Sequence, residues 1–255
     1  MQNMENLFSI ALQRKEIPQK LYKYMGVDTA EAVLQSNTLQ FSHRSSFNDI
    51  YECTGYIKRD YSPVEWKQHL EKLGVHGIVR DSSVLNNLLK EKIDECADGL
   101  GILCLTQKND NLLMWAHYAD NHQGVCFEFD LSKDLKTFCF PKKVNYGIDY
   151  PKIDFINDQP SATNVIFYKS VDWCYEKEYR VIDLYAYKNA KAGNINPVRK
   201  SFNREALTGI YFGCRCSDKD IKKIKDMAVK SGYINAQFYK MVQNDIKYQL
   251  AVCSC

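Results

Sequence analysis

The chain has 255 residues, of which 45% are hydrophobic and 25% are charged, and this is the composition of an ordinary globular protein. A chain of this length can bury a large core without disulfides or metals. The formal net charge of +3 is too small to indicate a nucleic-acid partner by itself. No apolar run approaches the roughly 20 residues that cross a bilayer, so we expect no membrane partner.

Ten cysteines raise the question of a secreted disulfide scaffold, and the rest of the sequence argues against one. The segment MQNMENLFSIALQRKE indicates an amphipathic helix without a signal-peptide cleavage site. Several cysteines, among them Cys104 and Cys126, lie within apolar runs. We therefore expect a cytoplasmic protein in which most of the ten thiols are reduced and buried.

The first 98 residues are predicted to form short helices and short strands. The pattern predicts a helix at 3–15 that ends before Pro18, a strand at 20–24, a helix at 30–35 capped by Asp28 or Thr29, and a strand at 39–42. Two more helices follow, at 63–73 and from Ser82 or Ser83 to 97. Ser62 and Glu65 have the capping-box spacing, and Pro63 stands at the first helical position. Residues 62–98 are therefore a candidate helical insertion.

Strands dominate the rest of the chain. The pattern predicts strands at 101–106, 125–131, 138–146, 181–187, 209–213, 236–242 and 247–253, helices at 112–119 and 218–231, and loops at 151–165 and 188–201. Asn109 or Asp110 is the predicted cap of helix 112–119. This order lacks the βαβ alternation of parallel sheets. We predict one α+β domain over residues 1–255, with a central mixed or split sheet that is mainly antiparallel.

The segment from Val171 to Ile182 (VDWCYEKEYRVI) concentrates charged and aromatic side chains. At the period of a strand, Glu176, Glu178 and Arg180 point to one face. A solvated edge strand commonly carries charge in this way. The alternative is a cleft in which one carboxylate is ionised and orienting while the other is available for acid, base or electrostatic work.

Three upstream clusters have a similar make-up. They are Tyr22-Lys23-Tyr24, the loop with Asn48, Asp49 and Glu52, and the helix with Met114, Trp115, His117 and Tyr118. Such residues also serve turns and helix cores. A ligand pocket, however, needs a few polar groups beside large apolar ones. We predict that one cleft is lined by Tyr22, Tyr24, Asn48, Glu52, His117, Tyr118, Trp173, Glu176, Glu178 and Arg180.

The sequence lacks the common motifs of nucleotide-binding proteins, hydrolases and zinc sites. The chain has no Walker-type phosphate loop, no dinucleotide fingerprint, and neither HExxH nor GxSxG. Cys214-Arg215-Cys216 and Cys253-Ser254-Cys255 lack the usual CxxC spacing of zinc ligands. His117 and His122 do not have helical metal-ligand spacing. We therefore predict no metal site.

Several blocks together resemble a widespread bacterial family of unknown function whose members recur in phage-defence neighbourhoods. The blocks are LYKY, FSHRSSFNDIYEC, GILCLT, DNLLMWAHYADNHQGVCFEFD and WCYEKEYRVI, which extend over roughly residues 20–215. MWAHYA and WxYExEYR are the most specific of them. The resemblance implies a role in antiviral defence, including abortive infection, and a possible partner protein from a defence operon.

The layout is also remotely similar to that of ADP-ribosyltransferases, especially DNA-targeting bacterial toxins of that class. The resemblance implies that NAD is the substrate, that Tyr22 or Tyr24 holds its ribose, and that Tyr118 or another aromatic stacks on nicotinamide. Glu178 or Glu176 would bond the nicotinamide ribose, with Glu178 preferred because it lies nearer the regular strand. The usual His or Arg of the first strand is replaced by Tyr-Lys-Tyr.

The leading hypothesis is thus an ADP-ribosyltransferase-like effector or toxin that transfers ADP-ribose to a nucleic acid, a protein or water. Catalysis would fall to Glu178, Glu176 and His117, and NAD binding to Tyr22, Tyr24, Asn48, Glu52, Tyr118, Trp173 and Arg180. One alternative is a non-catalytic nucleotide-sensing or protein-binding module. The other is a metal-dependent hydrolase or nuclease that uses Asp49, Glu52, Glu176 and Glu178.

Overall fold

The computed structural model describes residues 2–53, 56–58, 60–149, 152–154, 156, 162–184, 186–187 and 195–255. The α-helices are α1 (Gln2–Gln13), α2 (Val27–Ser36), α3 (Pro63–Lys72), α4 (Ser83–Asp98), α5 (Leu112–Tyr118) and α6 (Asp218–Lys230). The longer strands are β1 (Lys20–Met25), β2 (Thr38–Phe41), β4 (Gly101–Thr106), β5 (Val125–Asp130), β10 (Glu178–Asp183), β11 (Val198–Ser201), β12 (Leu207–Phe212), β13 (Gln237–Gln243) and β14 (Leu250–Ser254). Short strands are β3 (Tyr56–Ile57), β6 (Lys142–Lys143), β7 (Asn145–Gly147), β8 (Lys152–Ile153) and β9 (Tyr168–Ser170).

One large mixed sheet organises the described residues, with the strand order β14-β13-β12-β5-β1-β4-β10-β6. Its neighbouring strands run antiparallel except β12 and β13, which are parallel. The remaining pairs, β2 with β11, β3 with β8 and β7 with β9, form separate two-stranded sheets. The structure confirms a single mixed α/β domain built on a large mixed sheet.

The two faces of the large sheet differ because side chains alternate along each strand. One face carries Leu21, Phe127 and Ile210, and α1, α2 and α6 cover it with the main apolar core. The other face carries Tyr24, which packs against the fully buried Trp115 of α5. Since α5 is short, part of this second face stays open, and it is there that the polar residues of the sheet lie.

The two helices predicted between residues 62 and 98 are present. The capping box of α3 is formed: the Ser62 side chain accepts from the Glu65 amide, and the Glu65 carboxylate accepts from the Ser62 amide at 2.8 Å. Trp66 of α3 packs in a small cluster with Tyr61 and Ile156 that is separate from the main core. That residues 62–98 are an insertion stays a prediction.

Two cap predictions are wrong. Helix α2 begins at Val27 with Gly26 as its N-cap, so Asp28 lies in the first turn, where its charge favours the helix dipole. Helix α5 is capped by Asn111, whose side chain accepts from the amides of the residues two and three positions on. Helix α2 therefore begins three residues earlier than predicted, whereas α5 begins at Leu112 as predicted.

The predicted strand 138–146 is also wrong, because Phe140 adopts a positive φ of 48° and Pro141 follows it. Only β6 and β7 form there. The predicted strand 181–187 begins earlier and ends at Asp183. In the predicted loop 188–201, residues 198–201 form β11, while 188–194 lie outside the described residues. The predicted loop 151–165 contains β8 and the start of a 3₁₀ segment at Ala162–Phe167, and 151, 155 and 157–161 lie outside the described residues.

Within the described residues, no helix combines the length and the apolar content that a bilayer crossing requires.

All ten cysteines lie in the described part of the chain and carry free thiols, but the prediction that most of them are buried is wrong. Cys53, Cys126 and Cys216 are buried, whereas Cys96, Cys253 and Cys255 are exposed. Burial raises the pKa of Cys53 to about 12, so its reactive thiolate is scarce.

These exposures set an expected labelling pattern for a thiol reagent. In the folded protein without reductant, peptide mapping should find Cys96, Cys253 and Cys255 modified first, because their sulfurs are accessible. Cys53 and Cys126 should react only after denaturation, since reagent access and thiolate formation both require exposure. Rapid labelling of Cys126 in the folded protein would contradict this arrangement of the sheet.

Candidate functional site

A cleft of about 400 Å³ opens on the second face of the sheet, along the line where β1 meets β4. We call it the seam cleft. Its lining includes Lys23 of β1, Cys104 and Thr106 of β4, Phe47 of the loop after β2, and Lys169 of β9. It also includes eight of the ten predicted site residues: Tyr22, Tyr24, Asn48, Glu52, His117, Tyr118, Glu176 and Glu178.

The seam exists because β1 and β4 are paired only where Tyr22 meets Thr106. By contrast, β1 pairs with β5 along its whole length, from Lys20 to Met25. The Lys23 ammonium reaches across the seam and donates to the Cys104 carbonyl at 3.1 Å. Burial lowers the pKa of Lys23, although the charge of Glu178 partly opposes this effect. The gap between β1 and β4 therefore coincides with the cleft that the predicted site residues line.

Below the seam cleft, Glu178 and Arg180 form a fork on β10. The Nε and Nη2 atoms of Arg180 donate to the two Glu178 carboxylate oxygens, each at 2.8 Å. Nη2 also pairs with Glu52, and Nη1 donates to the Ile166 carbonyl. Burial alone would raise the pKa of Glu178, but Arg180 more than offsets it and holds that pKa below its ordinary value.

Lys169 is the second cation of this cluster. Its ammonium lies 2.7 Å from Glu176, 3.3 Å from Glu52 and 3.8 Å from Glu178, and its side chain is buried. Burial would lower the pKa of Lys169, but the three carboxylates raise it above its ordinary value. The cluster therefore sets three carboxyl groups against two cations.

Glu176 reaches the cluster by a route that strand alternation does not predict. Residues Val171–Glu176 form a 3₁₀ helix, and Lys177 follows with a left-handed φ of 47° before β10 begins at Glu178. The prediction that Glu176 shares a strand face with Glu178 is therefore wrong. Thr106 fixes the turn by donating its hydroxyl to the Glu176 carbonyl.

The Glu176 carboxylate is held by two donors. Tyr118 donates its hydroxyl at 2.6 Å, and Lys169 donates at 2.7 Å. Burial raises the pKa of Glu176, and Lys169 and Tyr118 only partly reduce that effect. The two glutamates of the segment are thus shifted in opposite directions, as often occurs where one carboxylate orients and the other exchanges protons.

The edge-strand alternative is wrong for this segment, because β10 lies between β4 and β6. Glu176, Glu178 and Arg180 are 3%, 4% and 1% exposed, so none of them is a solvated surface charge. Ionised groups are rarely buried unless they are paired, and these are.

Two predicted site residues stand outside the lining. Arg180 lies behind Glu178 and Glu52, and the ring of Phe47 covers its guanidinium. Trp173 packs on the far side of Lys169, with the ammonium 4.7 Å from its ring centroid. Arg180 thus pairs directly with Glu178 and Glu52 from behind the cleft, whereas Trp173 acts through the Lys169 ammonium.

The hydroxyl groups of both first-strand tyrosines already donate hydrogen bonds within the protein. Tyr24 is buried against Trp115 and donates to the Lys108 carbonyl at 3.0 Å. Tyr22 is only partly buried and donates to Glu128 at 3.1 Å. Glu128 also accepts from Lys20, Thr208 and Tyr211.

His117 lines the cleft mouth between two rings. Its centroid lies 6.3 Å from that of Tyr118 and 6.2 Å from that of Tyr175. Asn48 approaches the same place from the opposite loop and donates to the Tyr118 hydroxyl oxygen at 3.4 Å. This end of the cleft is therefore aromatic, whereas its floor is charged.

Sequence reasoning missed Lys169, Lys23 and Thr106. Lys23 lies inside the LYKY block, between the two predicted tyrosines. Lys169 stands a few residues before the Trp173 block, in the segment FYKS, and no local pattern distinguishes it from a surface lysine. The signal that could have found Lys169 is the excess of glutamates over arginine among the predicted cleft residues, because buried carboxylates need cationic partners.

The described residues contain no group of three or more His, Cys, Asp or Glu side chains arranged to hold a metal ion. The carboxylates of Glu52, Glu176 and Glu178 do converge, but the Lys169 ammonium occupies their common point. Asp49, the fourth proposed ligand, accepts from the Tyr51 amide within its own loop.

Comparison with known proteins gives one match. Residues 114–181 match the sequence model of a family described as "Protein of unknown function (DUF2971)". This stretch holds most of α5, all of β5, the 3₁₀ helix and the start of β10, and with them Tyr118, Glu176, Glu178 and Arg180. It does not reach β1, β4 or Glu52. No curated protein and no solved structure matches the chain.

Proposed function

We propose that the protein is an ADP-ribosyltransferase-like enzyme that cleaves NAD in the seam cleft and transfers ADP-ribose to an acceptor. The observation that carries this proposal is the pair Glu176 and Glu178, held by buried cations at the floor of a cleft that parts β1 from β4. The split sheet is the feature that an ADP-ribosyltransferase-like fold would share. The cleft volume of about 400 Å³ lies within the usual range of small-molecule sites.

The charge of the cluster suits this chemistry. Breaking the bond between nicotinamide and ribose develops positive oxocarbenium character on the sugar. The cluster sets the carboxyl groups of Glu52, Glu176 and Glu178 against Lys169 and Arg180, and these three carboxylate side chains are buried. A fixed negative charge stabilises a developing cation most strongly in such a site.

The aromatic end of the cleft suits the nicotinamide ring. Tyr118 and His117 line it, and Tyr118 is held in place by Glu176 and Asn48. Of the two first-strand tyrosines, Tyr22 is the better candidate for a ribose contact, because Tyr24 is buried under Trp115. The resemblance to a family that recurs in phage-defence neighbourhoods supports a role as a defence effector, whose acceptor would be a nucleic acid, a protein or water.

A metal-dependent hydrolase or nuclease is a weaker candidate. A metal ion at the carboxylates of Glu52, Glu176 and Glu178 would have to displace the Lys169 ammonium that they already bind. The non-catalytic module stays open as an outcome of the test, because the carboxylates are nearly neutralised within the protein itself.

The test measures the release of nicotinamide from NAD by the purified protein. The reactions are run with and without a chelator, and chromatography quantifies the nicotinamide. We expect release that survives the chelator and that is lost in a Glu176→Gln, Glu178→Gln double variant. The matched control is Glu16→Gln, since the Glu16 side chain is 59% exposed and does not line the cleft. Nucleic-acid cleavage that the chelator abolishes would instead support the hydrolase, and inactivity with retained NAD binding would support the module.

A further inference from the structure

The large sheet ends in two edges of different character. One edge is β6, which consists of Lys142 and Lys143, both exposed, and follows Pro141. Natural proteins protect sheet edges with short strands, lysines, prolines and bulges, because these features discourage a further strand from pairing. The other edge, β14, has five residues of sequence LAVCS, with neither a charged residue nor a proline. Its register with β13 is unbroken, so it has no bulge and none of the protective features of β6.

The outer side of β14 presents backbone groups to which a further strand could bond. Within the described residues, β14 pairs on one side only, with β13. The Cys255 amide donates to the Phe238 carbonyl on that side. In an antiparallel pair, every second residue of a strand bonds to the same neighbour. The amides and carbonyls of Leu250, Val252 and Ser254 therefore point to the open side.

These outward groups match their own copy when a twofold axis passes the strand at Val252. A second, antiparallel β14 then sets Val252 against Val252 of the copy, and Leu250 against Ser254 of the copy. All three outward residues lie in hydrogen-bonded pairs, and each pair exchanges two hydrogen bonds, which gives about six in total. Like charges directly opposite each other would destabilise such a pairing, but β14 has no charged residue.

Exposed apolar side chains lie beside this edge. Tyr248 is 99% exposed, and Val252 on β14 itself is 45% exposed. Tyr248 also lines a groove of about 400 Å³ together with Leu250 and with Leu112 and Leu113, two exposed residues of α5. A specific interface buries roughly 1,000 Å² or more, which requires more than backbone pairing along five residues. The apolar side chains beside β14 can supply this additional surface.

From these observations we infer that β14 is the interface of a symmetric homodimer, in which two copies of this chain pair antiparallel about Val252 and join their sheets. A second copy fits the edge because β14 matches itself in length, in backbone groups and in its lack of charge. The guarded edge at β6 ends the assembly at two copies, as a closed twofold interface requires. The seam cleft lies between β1 and β4, beyond β12 and β5 from this edge, so the interface does not depend on the proposed NAD chemistry.

The first test measures molar mass in solution by light scattering over a concentration series. The wild type should reach twice the mass of one chain. Val252→Lys should keep the mass of one chain, because two lysines would face each other at the twofold axis. The matched control is Val229→Lys, which adds the same charge on α6, where Val229 is 70% exposed, and it should stay dimeric. A wild type that is monomeric throughout the series, an assembly larger than two copies, or a dimeric Val252→Lys would overturn the interface.

A second test determines the register and does not require a variant that disrupts the edge. In the inferred register, Ala251 faces Cys253 of the second copy in a non-hydrogen-bonded pair, where opposite side chains are closest. With glutathione disulfide as the oxidant, Ala251→Cys should form a disulfide from position 251 to Cys253 of the other chain. The two thiols lose their hydrogens, and the oxidant is reduced to two glutathione thiols.

A non-reducing gel should show this product as a dimer band, and mass spectrometry of the band should identify the linked positions. The wild type treated in the same way should form no link through Cys253, because Ala251 faces it. The Ala251→Cys, Cys253→Ser double variant should lose the band. A link between the two copies of Cys253, or a product of monomer mass only, would contradict the inferred register and overturn the proposal.

Discussion

Replacing Arg180 by Met should lower the free energy of unfolding by about 3–5 kcal/mol, because the change leaves buried carboxylates without their cation. Glu178 loses both of its 2.8 Å bonds, and Glu52 loses its contact to Nη2. Met fills much of the same space, so the lost charge dominates over lost packing. Thermal or urea unfolding measures the effect, and the melting temperature should fall by roughly 10 °C.

The stability lost in Arg180→Met should become smaller as the pH falls. In the wild type the folded-state pKa of Glu178 is lowered, so its ion pair stabilises the fold above the unfolded pKa and the benefit fades as pH falls. In the variant, burial without Arg180 raises that pKa, so the difference between the proteins should narrow as the carboxylates become protonated. Arg14→Met is the matched control, since Arg14 is 71% exposed and should leave the melting temperature unchanged. A variant as stable as the wild type at neutral pH would contradict the buried fork.

Replacing Trp115 by Ala should cost about 3–5 kcal/mol, the usual range for removing a fully buried large aromatic side chain. The Trp115 ring has no exposed surface and packs at right angles to Tyr24, with centroids 5.0 Å apart. Its Nε1 donates to the Asn109 carbonyl at 2.8 Å, so the change also leaves that acceptor without its partner. Urea unfolding gives the loss of free energy.

Trp115→Phe is the control for this change, because it keeps a ring under Tyr24 and loses the bond to Asn109. It should be intermediate in stability. Helix α5 spans only Leu112–Tyr118 and carries His117 and Tyr118, so Trp115→Ala should also weaken ligand binding in the seam cleft. A melting temperature equal to that of the wild type would show that α5 is anchored by something other than this ring.

Local pattern was enough to predict much of the sheet. GILCLT and VCFEFD were placed as strands to within a residue, since apolar runs of this length flanked by turns favour buried strands. The capping box of Ser62 and Glu65 likewise marks the start of α3. These features depend on neighbours in sequence, and a single sequence contains them.

The parts that failed depend on neighbours in space. A lysine with a left-handed φ at position 177 has no sequence signature, and it moves Glu176 off the strand into a 3₁₀ helix. The cluster still receives Glu176, because Thr106 on another strand fixes its carbonyl. The burial of Arg180 depends on β6 and on the segment of Ile166, which local periodicity cannot place.

The single register pair between β1 and β4 has a mechanical consequence. Across this line, Tyr22 and Thr106 supply the one paired position, and the side chain of Lys23 supplies a cross-link to the Cys104 carbonyl. The sheet therefore consists of two parts, β14 to β1 and β4 to β6, which share this one main-chain pairing and pack against the same apolar core. A ligand that contacts both Tyr22 and Glu178 would bridge the two parts, and we expect its binding to stabilise their contact.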